Sequence, residues 1–225
     1  MTILPDYWLT RPPFPLDAAT RAAFDRLYDD VVAHPQQPIN YALSAPKWQF
    51  LCYLGDQRNL ALHGSGKPGI TRFEPRQPSD LTEFGNQLAV YASLDALWSM
   101  FFAIVDRHYP MSLVNGCVRF TDASGQLSEP YYQFSVSHQF LPLRPWRNGV
   151  VYLLPRDSFV QEPPIRVAHL EAASAQLASF TPVDALASLA ITPDDFPFLD
   201  QIRGHDDARI QEYVDALETL APWPS

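Results

Sequence analysis

Cysteine and lysine are scarce in this sequence of 225 residues, and acidic residues outnumber basic ones. The two cysteines, Cys52 and Cys117, are too few and too far apart to indicate a disulfide framework or a zinc site. Lys and Arg total 16 against 25 Asp and Glu, and the net charge of -9 argues against a broad nucleic-acid-binding face. No segment approaches the roughly 20 apolar residues that span a bilayer, so we expect no membrane partner.

The sequence also lacks the features of a signal peptide, because residues 1–11 have neither a basic start nor a continuous apolar run. This favours a cytoplasmic location. Hydrophobic residues make up 47% of the chain and aromatic residues 13%, which is enough for a substantial core. We predict a single domain over residues 1–225, with an N-terminal arm and helices over 1–58, a core over 59–155 and a C-terminal strand and helices over 156–225.

Apolar periodicity and turn residues predict a mixed α+β fold with mostly antiparallel strands. Four prolines within residues 1–16 indicate an extended arm. Helices are predicted over 18–33 with Asp17 as N-cap, over 94–106 with Ser93 as N-cap, from Thr192 onward and over 207–220. A further short helix is predicted to start at Ser44-Ala45-Pro46, where the aromatic density leaves a strand possible. Strands are predicted over 60–63, up to 93, and over 113–120, 131–137, 150–154 and 165–170, while 183–191 could be strand or helix.

One stretch stands out as a candidate site. A buried strand ends in His63-Gly64-Ser65, a loop with a local basic cluster (Lys67, Arg72 and Arg76) follows, and a second strand ends in Tyr91-Ala92-Ser93 before an apolar helix. Because neighbouring strand ends present polar side chains to a cleft, we expect His63 and Tyr91 to line one cleft. The alternatives are a hydrogen-bonded structural histidine, a core tyrosine and a loop whose charges are simply solvated.

This order of motifs resembles the ADP-ribosyltransferase superfamily, in the branch with His and Tyr in its first two motifs and a catalytic fold of diphtheria-toxin or PARP type. The resemblance covers residues 60–155 and implies a split, mostly antiparallel sheet with NAD as substrate. It implies that His63 bonds the adenosine-side ribose, that the main chain of Gly64 meets the nicotinamide amide, and that Tyr91 stacks on the nicotinamide ring. The implied NAD-binding residues are His63, Gly64, Ser65, Tyr91 and Ser93.

Active members of the superfamily commonly carry a third motif, a glutamate that supports the sugar as nicotinamide leaves. The strand over 150–154 begins near Arg147-Asn148, where no carboxylate stands. Glu162 is the next candidate and Glu129 the third. The resemblance therefore implies His63, Tyr91 and Glu162 as the catalytic set.

The resulting hypothesis is a transferase that cleaves the nicotinamide–ribose bond of NAD. It would pass ADP-ribose to water or to an acceptor, whether protein, nucleic acid or small molecule. Two alternatives stay open: a catalytically silent protein that binds NAD or another ligand, and an RNA 2′-phosphate-transfer enzyme, which would require a more basic surface. We expect no metal site, since His138, His169 and His205 have no partner at metal-ligand spacing.

Overall fold

A computed structural model describes residues 4–78 and 82–224. The chain forms a mixed α+β structure, as the sequence predicts. The helices are α1 (Ala18–Ala33), α2 (Lys47–Gln57), α3 (Ala96–Ile104) and α4 (Ile210–Thr219). The strands are β1 (Leu9–Thr10), β2 (Leu60–Ser65), β3 (Arg72–Phe73), β4 (Val90–Ser93), β5 (Leu113–Phe120), β6 (Tyr131–Ser137), β7 (Gly149–Pro155), β8 (Val160–Gln161), β9 (Ile165–Val167), β10 (Leu170–Ser174), β11 (Gln176–Ser179), β12 (Val183–Asp184), β13 (Ala187–Ile191) and β14 (Arg203–His205).

Most of these strands form two open sheets. The first sheet has the order β1-β6-β5-β10-β9, and β14 pairs in parallel with β6. The second sheet has the order β13-β7-β2-β4-β11-β8, and β3 pairs with β12 separately. Every named pair except β14–β6 is antiparallel. The chain crosses from the first sheet to the second at Ala175, between β10 and β11.

Helix α3 lies between the two sheets, and eight of its nine residues are buried. It meets the first sheet through Phe101, whose ring centroid is 4.8 Å from that of Phe134 on β6. It meets the second sheet through Ser99, whose hydroxyl donates to the carbonyl of Leu62 on β2 at 3.0 Å. A helix covered on both sides is apolar on nearly every face, and the one polar side chain of α3, Ser99, bonds the backbone of β2.

The N-terminal arm is fixed to this core by Arg11. Its guanidinium donates to Asp56 of α2 at 2.6 Å, to Asp95 before α3 at 2.9 Å and to the hydroxyl of Tyr132 on β6 at 3.1 Å. Tyr132 in turn donates to Asp95 at 2.7 Å. A buried carboxylate needs such partners, so Arg11 joins the arm, two helices and the first sheet.

The outer face of each sheet carries a smaller apolar cluster. On the second sheet, Ala61, Val90 and Tyr152 pack with Phe73 of β3 and Val183 of β12. On the first sheet, the arm and the C-terminal segment cover the strands, and Tyr7, Trp8 and Trp223 take part. None of the helices in the described ranges is both long and apolar enough to cross a membrane.

Several elements differ from the sequence expectation. Asp95, not Ser93, caps α3, and its carboxylate accepts from the backbone N–H of Trp98 at 3.0 Å. The strand predicted over 165–170 is a hairpin of β9 and β10, and residues 183–191 form strands. The helix start at Thr192 gives only a 3₁₀ turn, although both bonds of a capping box are present. The predicted strands 113–120 and 131–137 pair with each other, but the next one, β7, lies in the second sheet.

Candidate functional site

The two motif strands, β2 and β4, are paired at a single position. β2 pairs with β7 along its whole length, from Leu60 to Ser65, but it pairs with β4 only where Leu62 opposes Ser93. The residue that precedes β4, Ala89, pairs with Arg76 of the intervening loop instead of with β2, through two backbone hydrogen bonds of 3.0 and 3.2 Å. We call residues 63–65, where β2 has β7 as its strand partner and β4 has separated, the open end of β2.

His63 spans the gap between the separating strands. Its Nδ1 lies 2.6 Å from the backbone carbonyl of Tyr91, so Nδ1 carries the proton and Nε2 is an acceptor. Burial lowers the pKa of His63, against the opposing effect of the Tyr91 carbonyl, and the charge of Arg76 lowers it further. The imidazole is therefore neutral near pH 7. Its ring packs on Phe73, with centroids 4.6 Å apart, on the outer face of the second sheet.

Tyr91 leaves β4 on the opposite face. Ser93 pairs with Leu62, which belongs to the central core, whereas Val90 belongs to the outer cluster. Since side chains alternate along a strand, Tyr91 lies on the α3 face and His63 on the outer face. The Tyr91 hydroxyl folds back onto its own loop, donating to the carbonyl of Phe84 at 2.8 Å and accepting from the N–H of Gln87 at 2.8 Å. The expectation that His63 and Tyr91 line one cleft is therefore wrong.

Gly64 has a packing reason to be glycine. A Cβ at this position would lie 1.8 Å from the carbonyl oxygen of Ser99 and 2.8 Å from the backbone nitrogen of Ala103, both on α3. Gly149 on β7 is similar, since its Cβ would lie 2.1 Å from the carbonyl oxygen of Ala103. The helix backbone thus rests directly on two strand glycines, and any ligand role of Gly64 comes in addition to this contact.

The remaining serines of the two motifs make local bonds. The hydroxyl of Ser65 accepts from the N–H of Lys67 at 3.1 Å and stabilises the turn that leaves β2. Ser93 is buried, and its hydroxyl accepts from the N–H of Asp95 at 2.8 Å. Both side chains therefore shape the ends of the motif strands.

The structure brings neither glutamate candidate to the open end of β2. Glu162 follows β8, where its N–H bonds the carbonyl of Gln176 at 3.0 Å. β8 is three strands from β2, which is roughly 14 Å at the usual strand spacing. Glu129 is exposed and precedes β6 of the first sheet, while Asn148 is an amide immediately before β7. The structure thus offers the third motif no carboxylate from these three positions.

The three loop cations predicted as one cluster have different surroundings. Arg72 forms ion pairs with Glu74 at 3.0 Å and Asp184 at 2.9 Å, so its charge is used within the β3–β12 pair. Arg76 lies close enough to affect the pKa of His63. Lys67 is exposed immediately beyond the open end of β2.

The structure contains a second polar cluster, around His205, that the sequence did not predict. The Nε2 atom of His205 lies 2.7 Å from the hydroxyl of Ser112, and its Nδ1 lies 2.7 Å from the hydroxyl of Ser135. Asp207 accepts from the hydroxyls of Ser112 and Ser137. Three distant segments meet here because β14 pairs with β6, a contact that no local pattern signals.

This second cluster is arranged as a hydrogen-bond network rather than as a nucleophilic triad. A triad places the acid on the imidazole nitrogen remote from the serine, whereas Asp207 bonds the serine itself. His205 is 1% exposed, and burial lowers its pKa. Within the described ranges, no group of three or more His, Cys, Asp or Glu side chains could hold a metal ion.

Comparisons with protein-family models, with curated proteins and with solved structures find no match. The interpretation of the site therefore depends on the motif residues and their geometry.

Proposed function

We propose that this chain binds NAD at the open end of β2 and is a protein of ADP-ribosyltransferase type. The observation that carries the proposal is the separation of β2 from β4 at the two motifs. Where two strands part, main-chain N–H and C=O groups become available to a planar amide such as that of nicotinamide. Gly64, which has no side chain, lies at this point of the chain.

The two faces of the sheet suggest different roles for the motif side chains. Tyr91 is half-buried on the α3 face beside the open end, where an aromatic ring can stack on the cationic nicotinamide. His63 ties β2 to the Tyr91 carbonyl, so we assign it a positioning role for the Tyr91 backbone. Its Nε2 has no hydrogen-bond partner among the described residues and can accept from a ribose hydroxyl that reaches the outer face.

The proposed activity is NAD binding with slow or absent transfer. A carboxylate that supports the developing positive charge of the sugar contributes about two to three orders of magnitude in rate. Glu162 and Glu129 both lie away from the open end. The catalytically silent alternative therefore fits the geometry better than rapid transfer of ADP-ribose to an acceptor or to water.

Calorimetric titration with NAD tests the proposal, with Tyr91→Phe and Tyr91→Leu as a matched pair. The Phe variant keeps the ring and loses only the hydroxyl, so it should bind NAD within about twofold of the parent. The Leu variant loses the ring and should bind about 3- to 30-fold more weakly, which is the range expected for a cation–π contact. A parent protein that shows no heat of binding with millimolar NAD would refute the proposal.

Release of nicotinamide separates binding from transfer. We expect the parent to release it at a rate close to that of a protein-free control. A parent rate that exceeds the control by several orders of magnitude, and falls in Glu162→Gln, would support the full transferase instead.

A further inference from the structure

Arg147 is held against the main chain just beyond the open end of β2. A Cβ added to Gly66 would lie 1.9 Å from the Cζ atom of Arg147, so the guanidinium occupies the space that a side chain would fill. The backbone N–H of Arg147 donates to the carbonyl of Ile104 at 2.8 Å, which fixes this residue at the end of α3. The position of the guanidinium is therefore set by two neighbouring elements.

The hydrogen-bonding capacity of this guanidinium is largely unused. Its Nε atom is buried and has no hydrogen-bond partner among residues 4–78 and 82–224. The nearest carboxylate oxygen in those ranges belongs to Asp106, 3.8 Å from Nη1. That same Asp106 oxygen already accepts from the N–H of His108 at 3.1 Å and lies 2.7 Å from its ring Nδ1. A donor fork without a well-placed acceptor is suited to an external anion.

A second arginine stands beside the first. The segments 104–106 and 145–147 run antiparallel, with Val105 bridged to Trp146. Arg107 directly follows the first segment and lies within range of the charge of Arg147. Partial desolvation, and then the charge of Arg147, lower the pKa of Arg107. Arg107 forms no ion pair within the described residues, and Lys67 next to Gly66 adds a third cation. Like charges gathered in a protein of net charge -9 repel one another unless an anion joins them.

We propose that Arg147 and Arg107 form a binding site for the pyrophosphate of a nucleoside diphosphate or dinucleotide, just beyond the end of β2 and beside the C-terminal end of α3. Gly66, against which Arg147 packs, directly follows β2, while Gly64 faces α3 and strand alternation puts Tyr91 on that face of β4. A planar Arg fork binds phosphate oxygens bidentately, and a neighbouring Arg matches a second phosphate. The inference deepens the proposed function and rests on it only for the identity of the complete ligand.

Titration with inorganic pyrophosphate at low ionic strength tests this site without NAD. The variants are Arg147→Gln and Arg107→Gln, and the matched control is Arg26→Gln, which removes one charge from an exposed position on α1. We expect saturable binding by the parent and the control, and binding weakened on the order of 10- to 100-fold in each of the other variants. Added salt should weaken binding by the parent. Thermal unfolding of each variant shows whether it is folded. If Arg147→Gln does not fold, Arg107→Gln still tests the site, because Arg107 is exposed.

The outcomes separate this site from the proposed function. No saturable pyrophosphate binding by the parent, or equal binding by all four proteins, overturns the site even if NAD binds. Pyrophosphate binding that depends on Arg147 and Arg107, together with no response to NAD, supports the site and refutes the NAD proposal. Loss of NAD and pyrophosphate affinity together in Arg147→Gln supports both.

Discussion

The contact between α3 and the strand glycines predicts that Gly64→Ala destabilises the protein severely. The new Cβ would lie 1.8 Å from a helix carbonyl oxygen, whereas real Cβ atoms essentially never approach a heavy atom within 3.0 Å. The obstructing atoms are backbone, so no rotamer change relieves the contact, and α3 must retreat from β2 by about 1 Å in a close-packed core. Overpacking of this kind costs about 3 kcal/mol, at the upper end of the usual range.

A matched substitution separates this contact from general effects of replacing glycine. Gly116 lies on β5, and a Cβ there has nothing within 4 Å, so Gly116→Ala should be neutral or stabilise by about 0.5–1 kcal/mol through the unfolded chain. Gly149→Ala should resemble Gly64→Ala, with its Cβ 2.1 Å from the Ala103 carbonyl. Urea unfolding followed by circular dichroism measures all three. Equal midpoints for Gly64→Ala and Gly116→Ala would refute the packing argument.

Three further predictions concern the remaining buried polar groups. Arg11→Met leaves Asp95, which is 4% exposed, without its guanidinium, and urea unfolding should show a loss of about 3–5 kcal/mol that the exposed Arg26→Met does not share. Burial lowers the pKa of His63 and His205, so below about pH 6.5 the unfolded chain binds more protons than the folded protein. The histidines should therefore not reduce the free energy of unfolding above that pH, and on acidification it should fall by up to about 1.4 kcal/mol per pH unit for each histidine. A urea midpoint that does not change from pH 7 to pH 5 would contradict this. Burial raises the pKa of the Cys52 and Cys117 thiols, so a chromogenic disulfide reagent should label them only after denaturation, and rapid labelling of the native protein would show the burial to be wrong.

The elements that could be predicted from the sequence are those governed by local chemistry. The side chain of Asp17 accepts from the N–H of Thr20 at 2.7 Å and starts α1 where the sequence indicates. Ser93 and Asp95 are both acceptable N-cap residues, and their order in the chain does not decide between them. Asp95 takes the role because Ser93 is still in β4, paired with Leu62.

The faces of the motif side chains could not be predicted, because they depend on strand register. A shift of one residue in the pairing of β2 with β4 would move every side chain to the other face. Nothing local in the sequence specifies that Leu62 opposes Ser93, so His63 and Tyr91 could be expected on one face. The cluster around His205 has the same origin, since it depends on the parallel pairing of β14 with β6.

His63 and Gly64 each have a separate structural role at the end of β2. His63 bonds the Tyr91 carbonyl where the strands part, and Gly64 admits the α3 backbone, so both residues stabilise the fold without any ligand. A protein that had lost transfer chemistry would still need them. Arg147 differs, because its guanidinium is only partly used by neighbouring residues. Ligand binding should therefore respond to changes at Arg147, whereas changes at Gly64 should act first on stability.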